Sequence, residues 1–501
     1  MRAIIEDIKD SSTLVAIPSE RLEQKKTEAI TTPHHPPSLK TSYPSQALRF
    51  LEKVNGRNET STPSASLPEQ ARIKMSIIVV GAGLGGLALA IALARRGHSV
   101  RVLEQASKLG EVGAGIQIPP NSGRLLHDWG VFEHLEQWVV KPDAIHFRRW
   151  KDGREIGRTA LGKDFQENFK VPYYVVHRAH FHNALHQRAL KLGVVVELNA
   201  RVVKYCEKSA SVELANNSII IADLVIAADG IKSKARAALY KDTIHEPSFN
   251  GFAAYRATVD VQKIKADPEI AWIVEKPTLN IWIGENRHVM TYTIAAGEAL
   301  NMVLSHIDRS DPATWTGKFT KEDIQYEFGG WDSQLTKIIS LIDDCLKWPL
   351  KVGQQLRSWT APSNKLVIMG DAAHAMLPYM SQGAAMAVED GAALAVALNH
   401  VSSLDDVPFA LRVFEQERIK RSGDMQNAST VNGTIWHFAD GPEQRARDES
   451  MAAEVAGLHM LSSANQWSDP VTQWWAYGYD AEQAMEDAWA ESVSELIRQN
   501  N

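Results

Sequence analysis

Short apolar runs that end abruptly in glycine or aspartate recur along this chain. Met75–Val80 (MSIIVV) is β-branched and apolar apart from one serine, and the stretch after it, LALAIALARRG, carries small apolar residues at helical spacing. His98–Leu103, Ala222–Ala228 and Lys365–Met369 repeat the first pattern. Such runs suit strands of a parallel sheet covered by helices on both faces. A different pattern lies between them. Phe249–Val259, Ala271–Val274, Leu279–Ile283 and His288–Ile294 alternate apolar and polar residues, which predicts an antiparallel sheet with one face toward a pocket. Beyond Glu389 the chain reads as helical to its end, with Trp436, Trp467, Trp474, Trp475 and Trp489 suited to packing or subunit contact more than to ligand binding. The expected fold is therefore α/β, two interleaved domains followed by a helical C-terminal region.

The residues at the ends of the buried strands carry the chemistry. Gly81-Ala82-Gly83-Leu84-Gly85-Gly86 sits between the first strand and its helix. Gly81 permits the tight turn, Gly83 lets backbone approach a pyrophosphate, and Gly86 lets helix and strand pack closely. The helix N-terminus then offers unpaired N–H groups and the positive end of its dipole. Glu104, at the end of the next strand, stands near the ~20-residue offset expected of a ribose-binding acid. This Rossmann-type fingerprint alone does not separate a nicotinamide from a flavin dinucleotide. Two later motifs do. Asp229-Gly230 follows one strand, and Gly370-Asp371-Ala372-Ala373-His374 follows another, leading through Pro378 and Tyr379 to Gly383-Ala384 and a helix. An aspartate there can accept from the ribityl chain of a flavin, and the helix start beyond it can aim N–H groups at the flavin N1–C2 edge.

On these motifs, with Glu111–Asn121 (EVGAGIQIPPN), Val175-Val176-His177-Arg178 and Tyr477-Gly478-Tyr479-Asp480, the chain from about Met75 onward resembles the group A flavoprotein monooxygenases of the salicylate-hydroxylase-like branch, including fungal enzymes of phenolic and polyketide metabolism. The resemblance implies a Rossmann-type FAD-binding domain (segments about 75–145, 175–247 and 356–400) interleaved with an antiparallel-sheet substrate domain (about 146–174 and 248–355), then a helical region over 401–501. It implies that Glu104 binds the adenosine ribose and that the backbone around Gly115 to Gln117 lines FAD. Arg178 would lie near the flavin, Asp371 would hold the ribityl or pyrophosphate portion, and Ala384 would meet the isoalloxazine ring. Asp229 belongs to a motif linked to both FAD and NAD(P)H. A surface ion pair is the plain alternative for Arg178, and a helix N-cap for Asp371.

The implied reaction uses NAD(P)H and O2. Reduced FAD adds oxygen at C4a, and the hydroperoxide passes one oxygen atom to an electron-rich aromatic carbon. A phenolic substrate reacts best as phenolate, so a cation or a proton acceptor is needed near its oxygen. Arg256 is the first candidate, as the cation, and resembles an arginine of tropolone-pathway and indole-alkaloid members; Tyr292 is the second, as the hydroxyl that orients the substrate oxygen. Alternation does not reveal which sheet face either occupies, and an ion-paired arginine and a packed tyrosine stay open. Salicylate hydroxylases commonly carry histidine where this chain has Tyr379, and tyrosine is a poor base near neutral pH. A larger phenol is therefore expected, plausibly in secondary metabolism, with decarboxylative hydroxylation, epoxidation and oxidase chemistry as alternatives.

Composition narrows the field. No second dinucleotide fingerprint occurs, which sets the chain apart from disulfide reductases and Baeyer–Villiger enzymes. Cys206 and Cys345, the two cysteines, are too far apart for a redox pair or a zinc site, so no metal is expected. A net charge of −6 with interspersed signs gives no field for nucleic acid or anionic membrane, and no apolar run approaches the ~18 residues of a transmembrane span. A cytoplasmic enzyme, monomer or homodimer, is expected. Met1–Lys74 is Pro/Ser/Thr-rich and reads as a disordered extension, with one short amphipathic stretch at Gln46–Val54 and a chance glycosylation sequon at Asn58-Glu59-Thr60. It has too many acids for a transit peptide and lacks a secretory apolar core.

Overall fold

A computed structural model describes residues 70–110, 114–241, 245–315 and 319–500. The amphipathic stretch and sequon expected near the N-terminus, and Glu111–Gly113 of the EVGAGIQIPPN run, lie outside these residues. Folded structure starts before the expected boundary at Met75. Ala71 is buried and its N–H donates to Arg96 O at 2.9 Å, while Gln70 Nε2 donates to Arg95 O at 2.9 Å. Residues 70–74 thus satisfy carbonyls at the end of the first helix and belong to the domain.

Strands are numbered along the chain. The apolar runs form a five-stranded sheet in the order β17-β11-β1-β2-β7, all parallel: β1 (Ser76–Val80), β2 (Ser99–Leu103), β7 (Val195–Glu197), β11 (Leu224–Ala227) and β17 (Leu366–Ile368). Helix α1 (Leu84–Arg95) follows the glycine turn and is buried along nearly its whole length. It lies against a later helix, α4 (Gly383–Asn399), closely enough that a Cβ on Gly85 would come within 2.9 Å of Ala387 Cβ, and one on Gly391 within 2.9 Å of Leu89 Cα. Small residues on both helices are what allow this approach. β3 (Gly115–Ile118) and β6 (Tyr174–His177) form a two-stranded ribbon. β8 (Val202–Cys206), β9 (Ser211–Leu214) and β10 (Ile219–Ile221) form a small antiparallel sheet before β11.

The alternating segments build a seven-stranded sheet, β16-β12-β15-β14-β13-β4-β5. Its members are β4 (Ala144–Arg149), β5 (Glu155–Ala160), β12 (Ser248–Asp260), β13 (Thr278–Gly284), β14 (Arg287–Ile294), β15 (Ala299–Ile307) and β16 (Cys345–Val352). It is antiparallel except where β13 runs parallel to β4. Ala271–Val274, expected as a strand, is instead a turn of 3-10 helix. Ile273 within it and Ile270 just before it are buried and spaced by three, and the apolar run is too short for its period to be read from sequence.

Register assigns the two sheet faces. Tyr255, Leu304, Val289 and Trp282 share one row and face a core completed by Ile324, Leu335, Ile338 and Ile339 of two covering helices. The neighbouring row, Arg256, Val303, Met290, Ile281 and Phe147, faces the other way. That face packs against Leu377, Tyr379, Met380, Met425, Trp436 and Trp467 from the C-terminal half. Helix α5 (Val407–Trp436) supplies two of these residues, Met425 and Trp436, and Trp436 and Trp467 are fully buried, as packing residues should be.

Candidate functional site

The glycine turn has the expected shape. Gly81 has φ +104°, and a Cβ there would stand 2.4 Å from Ala228 O; one on Gly86 would stand 2.0 Å from Gly81 O. Both positions therefore exclude every other residue. A Cβ on Gly83 would meet no protein atom within 4 Å, so the space over the N-terminus of α1 is open. Glu104 borders that space, its Oε2 accepting from Ala82 N and its Oε1 from Ala106 N, both at 2.9 Å. A two-oxygen carboxylate retains lone pairs for a ribose hydroxyl. His182, on helix α2 (Arg178–Lys191), adds a contact that no motif announced: its Nε2 lies 2.6 Å from Ala82 O and holds the turn from below.

The Asp371 turn is held by charges that the sequence did not single out. Gly370 has φ +59°, and its N–H donates at 3.0 Å to Asp390 Oδ2, which also bonds His374 Nε2 at 2.6 Å. Asp390 Oδ1 takes Arg418 Nε at 2.9 Å, and Arg418 reaches Glu389 at 2.9 Å. Glu389 further bonds Arg421 at 3.1 Å and Asn121 Nδ2 at 2.6 Å. Burial pushes both carboxyls up, but Arg421 and Arg418 more than offset this at Glu389, as His374 and Arg418 do at Asp390, so both sit below the ordinary carboxylate range. From the other side, Arg236 donates to Ala372 O at 2.9 Å and to Ile231 O at 2.6 Å, joining the Asp371 turn to the Asp229 turn. Asp371 is exposed and is the first residue of its helix, with no side-chain cap bond. The N-cap alternative fails, and the carboxylate is available to a ligand.

Asp229 is engaged differently. Its Oδ2 accepts from Tyr205 Oη at 3.0 Å, Lys234 N at 2.9 Å and Ala235 N at 3.2 Å, so it anchors the turn into helix α3 (Lys234–Leu239). Gly383 and Ala384 open α4 just beyond Ser381, whose φ of +54° turns the chain into the helix.

The substrate-side residues meet on one face. Thr258, Asn301 and Tyr292 share a row two residues from the Arg256 row, so Arg256 and Tyr292 both face the flavin-fold side, with Tyr255 turned away. Tyr292 and Asn301 lie against Gly115: a Cβ there would come within 2.4 Å of Tyr292 Cε2, and Gly115 N donates to Asn301 Oδ1 at 2.6 Å. Gln117 turns its side chain into the same cluster, accepting from Tyr173 Oη at 2.5 Å and donating to Met290 Sδ at 3.1 Å. The expectation that this segment lines the site through its backbone therefore omits the Gln117 side chain. Burial lowers the Arg256 pKa, with nearby Tyr292 opposing and Arg178 reinforcing the shift. Burial pushes the Tyr292 hydroxyl up and keeps it protonated, although Arg256 pulls the other way. Arg178 begins α2, its N–H donating to Ala114 O at 3.0 Å.

Tyr379 is wedged against α5. Its ring carbons would lie 2.6 Å from a Cβ on Gly433, and Asn432 Nδ2 donates to its carbonyl at 2.6 Å. His288 and His437, neither of them anticipated, stand edge-on to its ring at 5.5 and 5.4 Å between centroids and bond each other, Nδ1 to Nε2, at 2.9 Å.

An open space at a helix N-terminus, an acid at ribose distance in sequence and an exposed aspartate on a second turn fit a flavin dinucleotide. Comparison with known proteins agrees. Residues 74–429 match the FAD binding domain family. The chain is 36% identical over 413 residues to the FAD-dependent monooxygenase OpS4 of Beauveria bassiana, covering 82% of this chain and 96% of that protein. It is 33% identical to a 3-hydroxybenzoate 6-hydroxylase of Polaromonas naphthalenivorans, covering 75% and 91%. Among solved structures, FqzB superimposes with a TM-score of 0.72 at 27% identity over 87% of this chain and 97% of its own. A salicylate hydroxylase–substrate complex shares the fold, with a TM-score of 0.68 at 23% identity over 83% of this chain and 98% of its own. The chain belongs to the FAD-binding-domain family of flavoprotein monooxygenases. Within it, the protein is an FAD-dependent monooxygenase of the aromatic hydroxylase type, and FAD is its cofactor.

Proposed function

We propose that this enzyme hydroxylates a phenolic or other electron-rich aromatic substrate, with NAD(P)H as reductant and O2 as co-substrate, in the biosynthesis of a secondary metabolite. The observation that carries the reading is the placement of Arg256 and Tyr292 on one sheet face, with Tyr292 packed on Gly115 of the cofactor-side ribbon. The names of the relatives, which include a 3-amino-4-hydroxybenzoate 2-monooxygenase of Streptomyces platensis at 33% identity over 81% of this chain, support an oxygenated benzoate-like ring.

In this reading the open space over Gly83 takes the pyrophosphate, Glu104 the adenosine ribose, Asp371 the ribityl chain, and Gly383-Ala384 the edge of the flavin ring, with Arg178 close to it. Bound FAD, once reduced, supplies the activated oxygen. The chain's own residues prepare the substrate. Arg256, largely withdrawn from water, stabilises a phenolate because an ion pair in a low-dielectric site is far stronger than one in solvent. Tyr292 keeps its proton and donates to the same oxygen, fixing which ring carbon faces the flavin. The seven-stranded roof excludes water, so the oxygen atom is not lost as peroxide.

The test is a panel of phenols offered with NADH and with NADPH, scoring stimulated nicotinamide consumption and product mass under labelled oxygen. A hydroxylated product carrying one labelled atom is expected. Peroxide without incorporation would identify an oxidase, and an epoxide product would identify an epoxidase; either would overturn the reading.

A further inference from the structure

Helix α4 starts without a cap, although a residue able to supply one stands in place. Gln382 occupies the N-cap position, and its side chain makes no bond to the helix. Its backbone carbonyl accepts from Met386 N at 2.8 Å, but none of the described residues accepts from the N–H groups of Gly383, Ala384 or Ala385. Unpaired donors at a helix start are ordinarily met by a side chain, by water or by a ligand. Gly383 and Ala384 are half-buried, so the donors there can be reached. A glutamine carbonyl turned back over the first turn would take one of them.

The side chain is held elsewhere, and the cause is visible. Gln382 meets Asn121, on the helix Pro120–Asp128 that follows β3. Asn121 Nδ2 donates to Gln382 Oε1 at 2.9 Å, and Gln382 Nε2 donates to Asn121 Oδ1 at 3.4 Å. Asn121 Nδ2 also donates to Glu389 Oε1 at 2.6 Å. Glu389 sets the direction of these bonds. Arg418 and Arg421 hold it at 2.9 and 3.1 Å and keep it ionised, so it can only accept. The Asn121 amide must then turn its nitrogen toward Glu389, and the second hydrogen on that nitrogen goes to Gln382. Gln382 in turn must offer its oxygen, the one side-chain atom with which it could cap α4. Asn121 and Gln382 are 1% exposed and Glu389 is fully buried, so solvent does not compete for this clasp.

We propose that Asn121 is a positioning residue for the flavin: by holding the Gln382 side-chain carbonyl away from α4, it keeps the helix N-terminus uncapped for the N1–C2 edge of FAD. The inference rests on the proposed placement of that edge at Gly383-Ala384 and adds what prepares it. Reduced FAD carries negative charge at this edge. Free N–H donors at the positive end of a helix dipole stabilise that charge, so the clasp raises the potential of the bound cofactor.

The test is the two-electron midpoint potential of FAD bound to the full chain, measured by equilibration with a reference dye. Asn121→Ala frees Gln382 to cap α4. Reduced FAD should then lose about 10-fold in binding relative to oxidised FAD, a fall of about 30 mV. Gln382→Ser and Gln382→Ala both lose the bond to Asn121, but only serine caps a helix start. The serine variant should show the same fall, and the alanine variant the parental potential. Asn121→Ala combined with Gln382→Ala should restore the parental value, which a merely structural role for Asn121 would not do. If Asn121→Ala does not fold, Asn121→Ser, which keeps a donor for Glu389, replaces it with the same expectation. A potential unchanged by the Asn121 variant, or lowered equally in the single and double variants, would overturn the clasp alone. A parental potential in Gln382→Ser would show that the flavin edge lies elsewhere, and would overturn its placement and the clasp together.

Discussion

Arg256 stands between a tyrosine and a second arginine, and its neighbourhood defines its task. A guanidinium whose pKa burial and Arg178 have lowered still carries its charge near neutrality, because arginine starts above 12. On the proposed reading, an anionic substrate oxygen would compensate that charge. Arg256→Ala should leave FAD bound but lower kcat/KM for hydroxylation by about 100-fold, as loss of one preorganised charge partner commonly does. Oxidised nicotinamide should appear with peroxide in place of product; unchanged coupling would remove Arg256 from the mechanism. Asp371→Ala acts on the other ligand. Its exposed carboxylate contributes no cap bond to the fold, so the variant should fold normally yet lose flavin on a desalting column, read as a lower ratio of flavin to protein absorbance. A fully yellow variant would refute that role. At this scale the sequence revealed the residue types but not their facing. Tyr255 and Arg256 are adjacent in the alternating strand, and only pairing with β15 sends the arginine toward the flavin fold and the tyrosine toward Phe319 and His306.

Among elements, helices α4 and α5 do more than cover the sheet. Asp390 on α4 binds the Gly370 N–H and His374, so a buried carboxylate sets the shape of the turn that presents Asp371. Its charge is balanced by Arg418 on α5, with both side chains fully buried. Asp390→Asn keeps the volume but deprives Arg418 and His374 of their carboxylate partner, and a cost of about 3 kcal/mol is expected from removing one partner of a buried pair. FAD affinity should fall together with the thermal midpoint; a stable variant with native FAD affinity would show that the turn holds its shape without the latch. Gly433 on α5 is the corresponding device on the substrate side. A methyl group there would overlap the Tyr379 ring, so Gly433→Ala should cost about 1–3 kcal/mol from overpacking. Its specific signature is a change in KM for substrate with FAD affinity intact, measured by titration. Neither role could be read from the chain, because Glu389, Asp390, Arg418 and Arg421 look in sequence like ordinary charges on amphipathic helices. Their partners lie up to 268 residues away, as between Asn121 and Glu389.

Across the whole molecule, the interleaving of two sheets places many ionisable groups in the seam between them, and this makes stability depend on pH with a definite sign. Glu389 and Asp390 have folded pKa values below their ordinary 4.5 and 3.8, so their contribution is present above those values and is lost as pH falls through the lower folded ones. His437 moves from an ordinary 6.5 to about 3. The folded state therefore resists a proton that the unfolded chain accepts, and stability falls from about pH 6.5 downward as well. Thermal unfolding followed from pH 8 to pH 4 should show a midpoint declining below pH 6.5. His437→Phe should flatten that decline by up to about 1.4 kcal/mol per pH unit. An unchanged slope would mean that His437 is protonated in the folded protein. Burial of the His437 ring sets this response, and the Arg447 charge adds to it.

The chain by itself determined what local physics controls. Apolar runs ending in glycine or aspartate specify strands whose C-terminal ends carry a dinucleotide site, because the turn after each strand needs residues without a side chain or with a hydrogen-bonding one. Alternation specified a second sheet, and helical spacing specified the C-terminal region. The tertiary structure decided everything that depends on pairing between distant segments. It set the register that turns Arg256 and Tyr292 to one face, the His288–His437 bond across 149 residues, and the buried charges behind Asp371. Strand register and buried polar pairs arise from burial against particular partners, and a linear pattern of hydrophobicity says which residues seek the interior without saying what they meet there.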